Sequence, residues 1–537
     1  MTLPQRMFCL ACGLALCAMA WAPAAAQPAR TAQEVLQQLV PTDGIPTNTV
    51  LAMDADGDSL WLSPLLNVTF DGGATFLGPS QDAFPPNTTG LCGPDNVALS
   101  LDVEGQGAAP SLVWAGLAFS DGARAGAGGF AFSTDGGQTF ACRAAPLDSP
   151  DNRSVTYGVS TLDAAPVTQE IGSAPRAIDA DPATGTVWVA GEESGLRQST
   201  NGGDSWQRVV LPPDTLDAIF PDTSYSFFVG PPEQNQGWLN HFAQSVLVDE
   251  TGTVWAGTAA GLNRSRPEDV QPNGRIWRRF SFNGSPDGLV GDFVSAIEEQ
   301  PLAGQRNPIW IASLAVNQQN QLRQNNGLTV TRDGGDTFEQ VLVGERVNGI
   351  AFGNGRVYAA TNRGLFISAN AGRTWTSVSA FELASDDAFI KPDVQALAVA
   401  TTPAAVWVST TDGLLRRAFG AERWTLFRAD VPVNPETPTE RVPDVATYAY
   451  PNPFSPVDDR IVRIRYELDA ATDVEVRIFD FSMNLVRRIV DPGQPPGEQE
   501  TTWDGKDAEG LRVANGPYFY VVDVGDETVR GKILVLR

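Results

Sequence analysis

A chain of 537 residues with one histidine, His241, has few routes to histidine chemistry. One His cannot build a multi-histidine zinc site, and a serine–histidine triad would rest on that residue alone. Its setting, Gly237-Trp238-Leu239-Asn240-His241 ahead of an apolar strand, reads as an ordinary surface position. Thiols are equally sparse: Cys9, Cys12 and Cys17 fall in the N-terminal apolar stretch, which leaves Cys92 and Cys142. Acids are plentiful. Asp54-Ala55-Asp56-Gly57-Asp58 has the look of a calcium loop, but such a loop needs Gly at its sixth position and an acid at its twelfth. Here Gly57 is fourth and Leu65 is twelfth, so the segment reads as a hairpin turn. Two carboxylates across a cleft would suffice for glycoside hydrolysis. Asp179, Glu192, Glu193, Glu298 and Glu299 are the candidates, each with the commoner reading of a solvated loop acid. No pair can be assigned from sequence, so catalytic residues stay unassigned, and no cofactor or metal site is expected.

The elements that must carry these residues are short strands. Seven apolar, small-residue-rich segments recur: Val50–Met53, Val97–Ser100, Ala177–Ala180, Ser245–Val248, Ser295–Glu298, Asn348–Ala351 and Gln395–Ala398. A strand packed near a crowded central axis reads that way. No long 3.6-residue period follows, so α-helix should be scarce, with one short helix expected over Gln33–Leu39. Two aromatic series run in register with seven members each. Trp61, Trp114, Trp188, Trp255, Trp310, Tyr358 and Trp407 form one, and Phe76, Phe140, Trp206, Trp277, Phe338, Trp375 and Trp424 the other.

A phrase of the form Ser/Thr-x-Asp/Asn-x-Gly-x-Thr/Ser-aromatic occurs at Thr69–Phe76, Ser133–Phe140, Ser199–Trp206, Thr331–Phe338 and Ser368–Trp375. Its Asp71, Asp135, Asn201, Asp333 and Asn370 accept local hydrogen bonds, and its glycines supply the positive φ of a tight turn. The fifth copy loses one Gly at Ala371, a change expected to cost the fold nothing. The phrase resembles the Asp-box, or BNR repeat, of sialidase-like β-propellers. The units around Trp255 and Trp407 resemble the sensor repeats of two-component regulators, as does Thr47-Asn48-Thr49-Val50. The resemblance implies an all-β fold: a seven-bladed propeller over residues 46–430, with each box between the third and fourth strands of its blade. It implies turns, not chemistry. The Arg-Ile-Pro signature of sialidases is absent, since Arg176 after Pro175 lacks that context.

Residues 1–26 read as an export signal: Arg6, an apolar run from Met7 to Trp21, and Ala24-Ala25-Ala26 before a cleavage point near Ala26. Residues 27–45 form a lead-in. The apolar run is too short for a membrane span, so the mature chain should have none. In an oxidising compartment Cys92 and Cys142 read as a disulfide, although two separate buried thiols would fit the sequence too. Closing that loop is worth about 4 kcal/mol in the chain-entropy model. The 63 acids against 37 bases give a formal charge of −26, which repels nucleic acid and anionic membranes.

Residues 431–447 hold the proline-rich break Val431–Pro443 and read as a semi-rigid linker. Over residues 448–537, Ile461–Leu468, Val474–Asp480, Tyr518–Val522 and Lys532–Leu536 alternate on a period of two, as in a small antiparallel sandwich. Pro451-Asn452-Pro453, Trp503-Asp504-Gly505, Gly510 and the Lys532 ending resemble the FlgD-type Ig-like domain and the C-terminal sorting domains of type IX secretion cargo in Bacteroidetes-like bacteria. That resemblance implies secretion machinery as a partner and a secreted or cell-surface location reached through the periplasm. Two functions follow. One is a non-catalytic propeller that binds a ligand, a glycan or a surface protein. The alternative is an extracellular glycoside hydrolase, sialidase-like or endo-glucanase-like, that uses paired loop carboxylates.

Overall fold

The computed structural model describes residues 39–536 except 43, 46, 81–82, 86–91, 93–96, 106–111, 121–124, 182–183, 233–235, 317–322, 386–389, 392, 430–445, 458–460 and 526. The export signal, most of the lead-in and nearly all of the linker lie outside the described residues. So does most of the expected helix, whose last residue, Leu39, opens a strand instead.

Seven antiparallel sheets follow in chain order, each with four strands in sequence order, a separate hairpin (Val270–Gln271 with Gly274–Arg275) interrupting the fourth, and two of them carry a further strand on the outer edge. Their innermost strands are Met53–Asp56, Val97–Glu104, Pro175–Asp181, Ala243–Val248, Phe293–Glu299, Val347–Gly353 and Ala396–Thr402. Each of these lies beside the next, and Ala396–Thr402 lies beside Met53–Asp56, so the ring closes. The first blade begins three residues later than the sequence suggested. Its added outer strand is Leu39–Thr42, paired with Phe76–Pro79. Blades 1 and 7 are each built from their own strands, and the segment just ahead of the first innermost strand stitches them together. The Gly413 amide donates to the Asn48 carbonyl and the Ala429 amide to Asn48 Oδ1. Helical pieces such as Leu239–His241 and Pro267–Asp269 are single 3-10 turns.

All five boxes lie between the third and fourth strands of their blades and share one geometry. In the second, Asp135 Oδ1 accepts from the Ser133 hydroxyl at 2.8 Å and from the Thr139 amide at 2.9 Å. Its Oδ2 accepts from the Thr139 hydroxyl at 2.7 Å. The Gly137 amide donates to Ser133 Oγ at 2.8 Å, which fixes the second glycine at φ 86°. Asp71, Asn201, Asp333 and Asn370 accept from the amide four residues on in the same way. In the fifth box Ala371 takes φ 58°, a conformation that costs an L residue about 1–2 kcal/mol. The loss of that glycine therefore strains the fold.

The boxes also hold the blades to one another. A Cβ on Gly137 would lie 2.3 Å from Cη2 of Trp61, the buried tryptophan of the preceding blade. Gly73 approaches Trp407 in this way, Gly203 Trp114, Gly335 Trp255 and Gly372 Trp310. Only a glycine lets the box backbone close over the indole. The two aromatic series thus meet across neighbouring blades: Trp61 with Phe140, Trp188 with Trp277, and Trp310 with Trp375, ring centroids 6.4–6.5 Å apart.

The C-terminal unit is a two-sheet sandwich. Thr447–Tyr450, Val462–Leu468 and Gly497–Trp503 form one sheet, and Leu485–Gln494, Thr472–Phe479, Gly516–Val524 and Glu527–Val535 the other. Phe454, Ile464, Trp503, Tyr520 and Ile533 fill the space between them. The alternating pattern located four of these strands. It missed the short Thr447–Tyr450, and also Leu485–Gln494 and Gly497–Trp503, whose side chains are largely polar and half exposed.

Candidate functional site

The innermost strands enclose a central channel with a cavity of about 340 Å³. Six of the seven carry a register shift near their start, one residue after the first in four of them and two after it in blades 2 and 5, which turns that residue out of the ladder. This bulge position places Leu99, Arg176, Gln244, Ser295 and Asn348 on the wall, with Leu51 at the matching place in blade 1. Three residues further along, the same wall carries Asp54, Asp102, Asp179 and Glu298 from blades 1, 2, 3 and 5. The channel is therefore a donor-rich ring at one level and a carboxylate ring at the next, about 10 Å apart at 3.3 Å per strand residue. Asp56, Glu104, Asp181 and Asp249 extend the acidic end beyond it. No box residue lines the cavity.

Three of the four carboxylates join blades. Asp54 Oδ2 accepts from the Val103 amide at 2.7 Å, Asp102 Oδ2 from Ala180 at 2.8 Å, and Asp179 Oδ2 from Val248 at 2.8 Å. Each acid thus holds the innermost strand of the next blade. Blade 4 carries Leu247 at this position, and the series is interrupted. Among the described residues none hydrogen-bonds Glu298, in blade 5; its neighbours are the charges of Asp54 and Asp179. Burial deep in the ring, then those two carboxylates, push its pKa up to about 8. Burial raises Asp54 to about 6 and Asp179 to about 7, against the hydrogen bonds that favour their ionised forms. Asp102 is raised by burial and by Asp179, Asp54 and Glu104. At the other level, Gln244 is 9% exposed, and its Nε2 has no partner. Arg176 pairs with Glu192 at 2.6 Å.

Of the acids weighed as a catalytic pair, Asp179, Glu298 and Glu299 stand on innermost strands. Glu192 is held by Arg176, and Glu299 accepts from the Glu250 amide at 3.0 Å. The segment read as a calcium-like turn does turn, at Gly57-Asp58, but Asp54 precedes the turn and faces the channel. Among the described residues no three His, Cys, Asp or Glu side chains are arranged to hold a metal ion. The signal that sequence reasoning missed is an apolar–acid step at one place in successive blades: Met53-Asp54, Leu101-Asp102, Ile178-Asp179 and Ile297-Glu298.

His241 is buried, not a surface residue. Its Nδ1 accepts from the Gly230 amide at 3.0 Å, and Nε2 faces the Leu211 carbonyl at 2.9 Å, so Nε2 carries the proton and donates. Burial lowers its pKa, against those two contacts. The covering segment is the long connection between blades 3 and 4, which the sequence did not mark as folding inward. Nearby, Arg197 and Arg208 both pair with Asp148. Burial acts to raise the Asp148 pKa, but the Arg197 hydrogen bond and the two guanidinium charges hold it at about 2. Cys92 and Cys142 are bonded to each other across 50 residues.

In the C-terminal sandwich the Pro451-Asn452-Pro453 segment closes onto the last strand. Asn452 Nδ2 donates to the Lys532 carbonyl and Oδ1 accepts from the Leu534 amide, both at 2.9 Å. Phe454 exchanges backbone bonds with Leu534 and Leu536. Trp503 is buried and donates from Nε1 to the Lys506 carbonyl at 2.8 Å. Gly510 sits in a positive-φ turn at 80°. Residues 456–527 match the FlgD Ig-like domain family. The FlgD-like domain is thus the C-terminal unit of a propeller protein.

No curated protein matches the chain. Among solved structures it is similar to PorZ of Porphyromonas gingivalis, described as an essential bacterial surface component of the type-IX secretion system. Identity is 14% over 91% of this chain and 66% of that one, just under two thirds of its length, with a TM-score of 0.42. It is also similar to the GH74 enzyme of Niastella koreensis, at 13% identity over 93% and 75% of the chains and a TM-score of 0.47. A third similarity is to the extracellular domain of a putative hybrid two-component system from B. thetaiotaomicron, at 12% identity over 91% and 75% and a TM-score of 0.34. None of these carries an activity to this chain.

Proposed function

We propose that this protein is a secreted, non-catalytic propeller that binds a ligand on a surface glycan or protein through its central channel. Its FlgD-like domain, through Pro451, Asn452, Pro453, Gly510 and Lys532, would direct export or anchoring by the secretion machinery. The observation that carries the binding reading is the use made of the acids. Asp54, Asp102 and Asp179 hold neighbouring blades, Glu192 holds Arg176 and Glu299 holds a backbone amide, so the carboxylates act as fasteners. The Cys92–Cys142 bond supports an oxidising compartment. One observation favours the hydrolase reading. Glu298 retains its proton at neutral pH, as a general acid must.

The test presents purified protein with envelope polysaccharide and envelope protein from its host. Saturable retention with no release of reducing ends supports the binding reading. Steady release of reducing sugar that is lost in Glu298→Gln would replace it with the hydrolase reading.

A further inference from the structure

Gln244 and Glu298 stand out on the channel wall. Most polar groups that deep in a fold are hydrogen-bonded, and an unpaired donor costs its desolvation. Gln244 lines the cavity and is nine-tenths buried; its Nε2 has no partner and is itself enclosed, so the amide must turn over to present that donor to the channel. Ser295 and Asn348 lie beside it on the same level, but their polar groups are engaged. Ser295 donates to the Ala312 carbonyl, and Asn348 to Asn362 and the Ala396 carbonyl. Glu298 lines the same cavity three residues further along and is the carboxylate of its ring that joins no blade. The ring around it holds Asp54, Asp102 and Asp179 and no cation. The nearest positive charge on the wall is Arg176, at the opposite level and already paired with Glu192.

We infer that the channel receives a short, elongated organic cation, whose ammonium or guanidinium group meets Glu298 and whose carbonyl or carboxylate accepts from Gln244 Nε2 once that amide has turned toward it. This rests on the reading of the channel as the binding site and names the chemistry of what enters it. The two levels are about 10 Å apart along the strands, the span of an extended basic amino acid or of a lysine or arginine side chain with its own backbone carbonyl. The cavity of about 340 Å³ is of that scale and lies at the small end of ligand sites. An organic cation also suits the donor set better than a metal ion, because the three Asp carboxylates each already spend an oxygen on a neighbouring blade. A cation that enters displaces to solvent the proton Glu298 holds at neutral pH, and it hydrogen-bonds the carboxylate so formed within the field of the ring.

Free amino acid and peptide side chain share this chemistry, and the probes separate them. Calorimetric titration of the full chain at pH 7.5 would use L-lysine, L-arginine, cadaverine, L-norleucine and the tripeptide Gly-Lys-Gly. L-Lysine or L-arginine should bind at least tenfold more tightly than norleucine, which keeps the α-ammonium but lacks the side-chain cation. Cadaverine, which lacks the acceptor, should fall between them. Tighter binding of Gly-Lys-Gly than of L-lysine would assign the source to a protein side chain, and the reverse to a free amino acid. Glu298→Gln should weaken the cationic probes at least tenfold. Gln244→Leu should weaken lysine and leave cadaverine unchanged. Both variants should unfold at a temperature within a few degrees of the parent. No binding of any probe, or equal binding of lysine and norleucine, overturns the inference. Retention on envelope material, measured on the same samples, tests the underlying reading separately: if retention persists while the probes fail, only the channel chemistry is wrong.

Discussion

Replacing Gly137 with alanine tests whether the boxes lock the blades together. Gly137 has φ 86°, and its added Cβ would lie 2.3 Å from Trp61 Cη2. Trp61 is fully buried and cannot swing away. The φ penalty is about 1–2 kcal/mol. Overpacking against a fixed indole adds about 1–3 kcal/mol. Gly202, at φ 64° with nothing within 4 Å of its would-be Cβ, carries the φ penalty alone. Gly137→Ala should therefore be more destabilising than Gly202→Ala by about 1–3 kcal/mol. Urea denaturation followed by tryptophan fluorescence, with linear extrapolation, measures both. Equal losses in the two variants would refute the interlocking role and leave the boxes as local turns only.

Four further outcomes are expected. Ala371→Gly should raise stability by about 1 kcal/mol, because it relieves a residue held at φ 58°; a loss on urea denaturation contradicts this. Asp148→Asn should cost about 3–5 kcal/mol, because it strands two buried arginines, and a thermal scan showing no change would remove the ion cluster from the account. Stability should rise as pH falls from 8 to 5. Glu298, Asp179 and Asp54 have folded pKa values of about 8, 7 and 6, so the folded state holds protons that the unfolded state has released. Below about pH 4 the sign reverses for Asp333. Burial raises its pKa but is outweighed by bonds from Thr337, Thr331 and Asp336, which hold it at about 2, and this contribution is lost as pH falls towards 2. Melting temperatures at pH 8, 6.5, 5 and 3 should peak near pH 5, and a steady rise from 5 to 8 would contradict the assignment. Deleting residues 448–537 should leave a folded propeller in the periplasm of the native host; equal surface delivery of both forms, by fractionation, would end the sorting reading.

The propeller was legible because its signals are local. A box is eight contiguous residues, and the aromatic series repeats once per blade, so neither needs long-range contacts to be recognised. The meeting of the two series was not legible, because Trp61 and Phe140 touch only when two blades pack. The channel acids were hidden for a related reason. Asp54, Asp102, Asp179 and Glu298 come from four strands, and each taken alone resembles a strand-end acid. Asp54 was further masked by the calcium-like run that follows it. Their shared step after an apolar residue is visible once the strands are aligned on their bulges, which the sequence does not mark. His241 was misplaced because its cover, with Leu211 and Gly230, lies in an irregular connection without a periodic pattern.

The most direct test of the central claim, that the channel is the site, is a crystal structure of the full chain soaked with L-lysine at pH 7.5. The account predicts one molecule inside the ring of innermost strands, its ammonium within hydrogen-bond distance of Glu298 and its carboxylate at Gln244 Nε2. Ordered lysine on an outer loop face, with the channel holding only water, would contradict it.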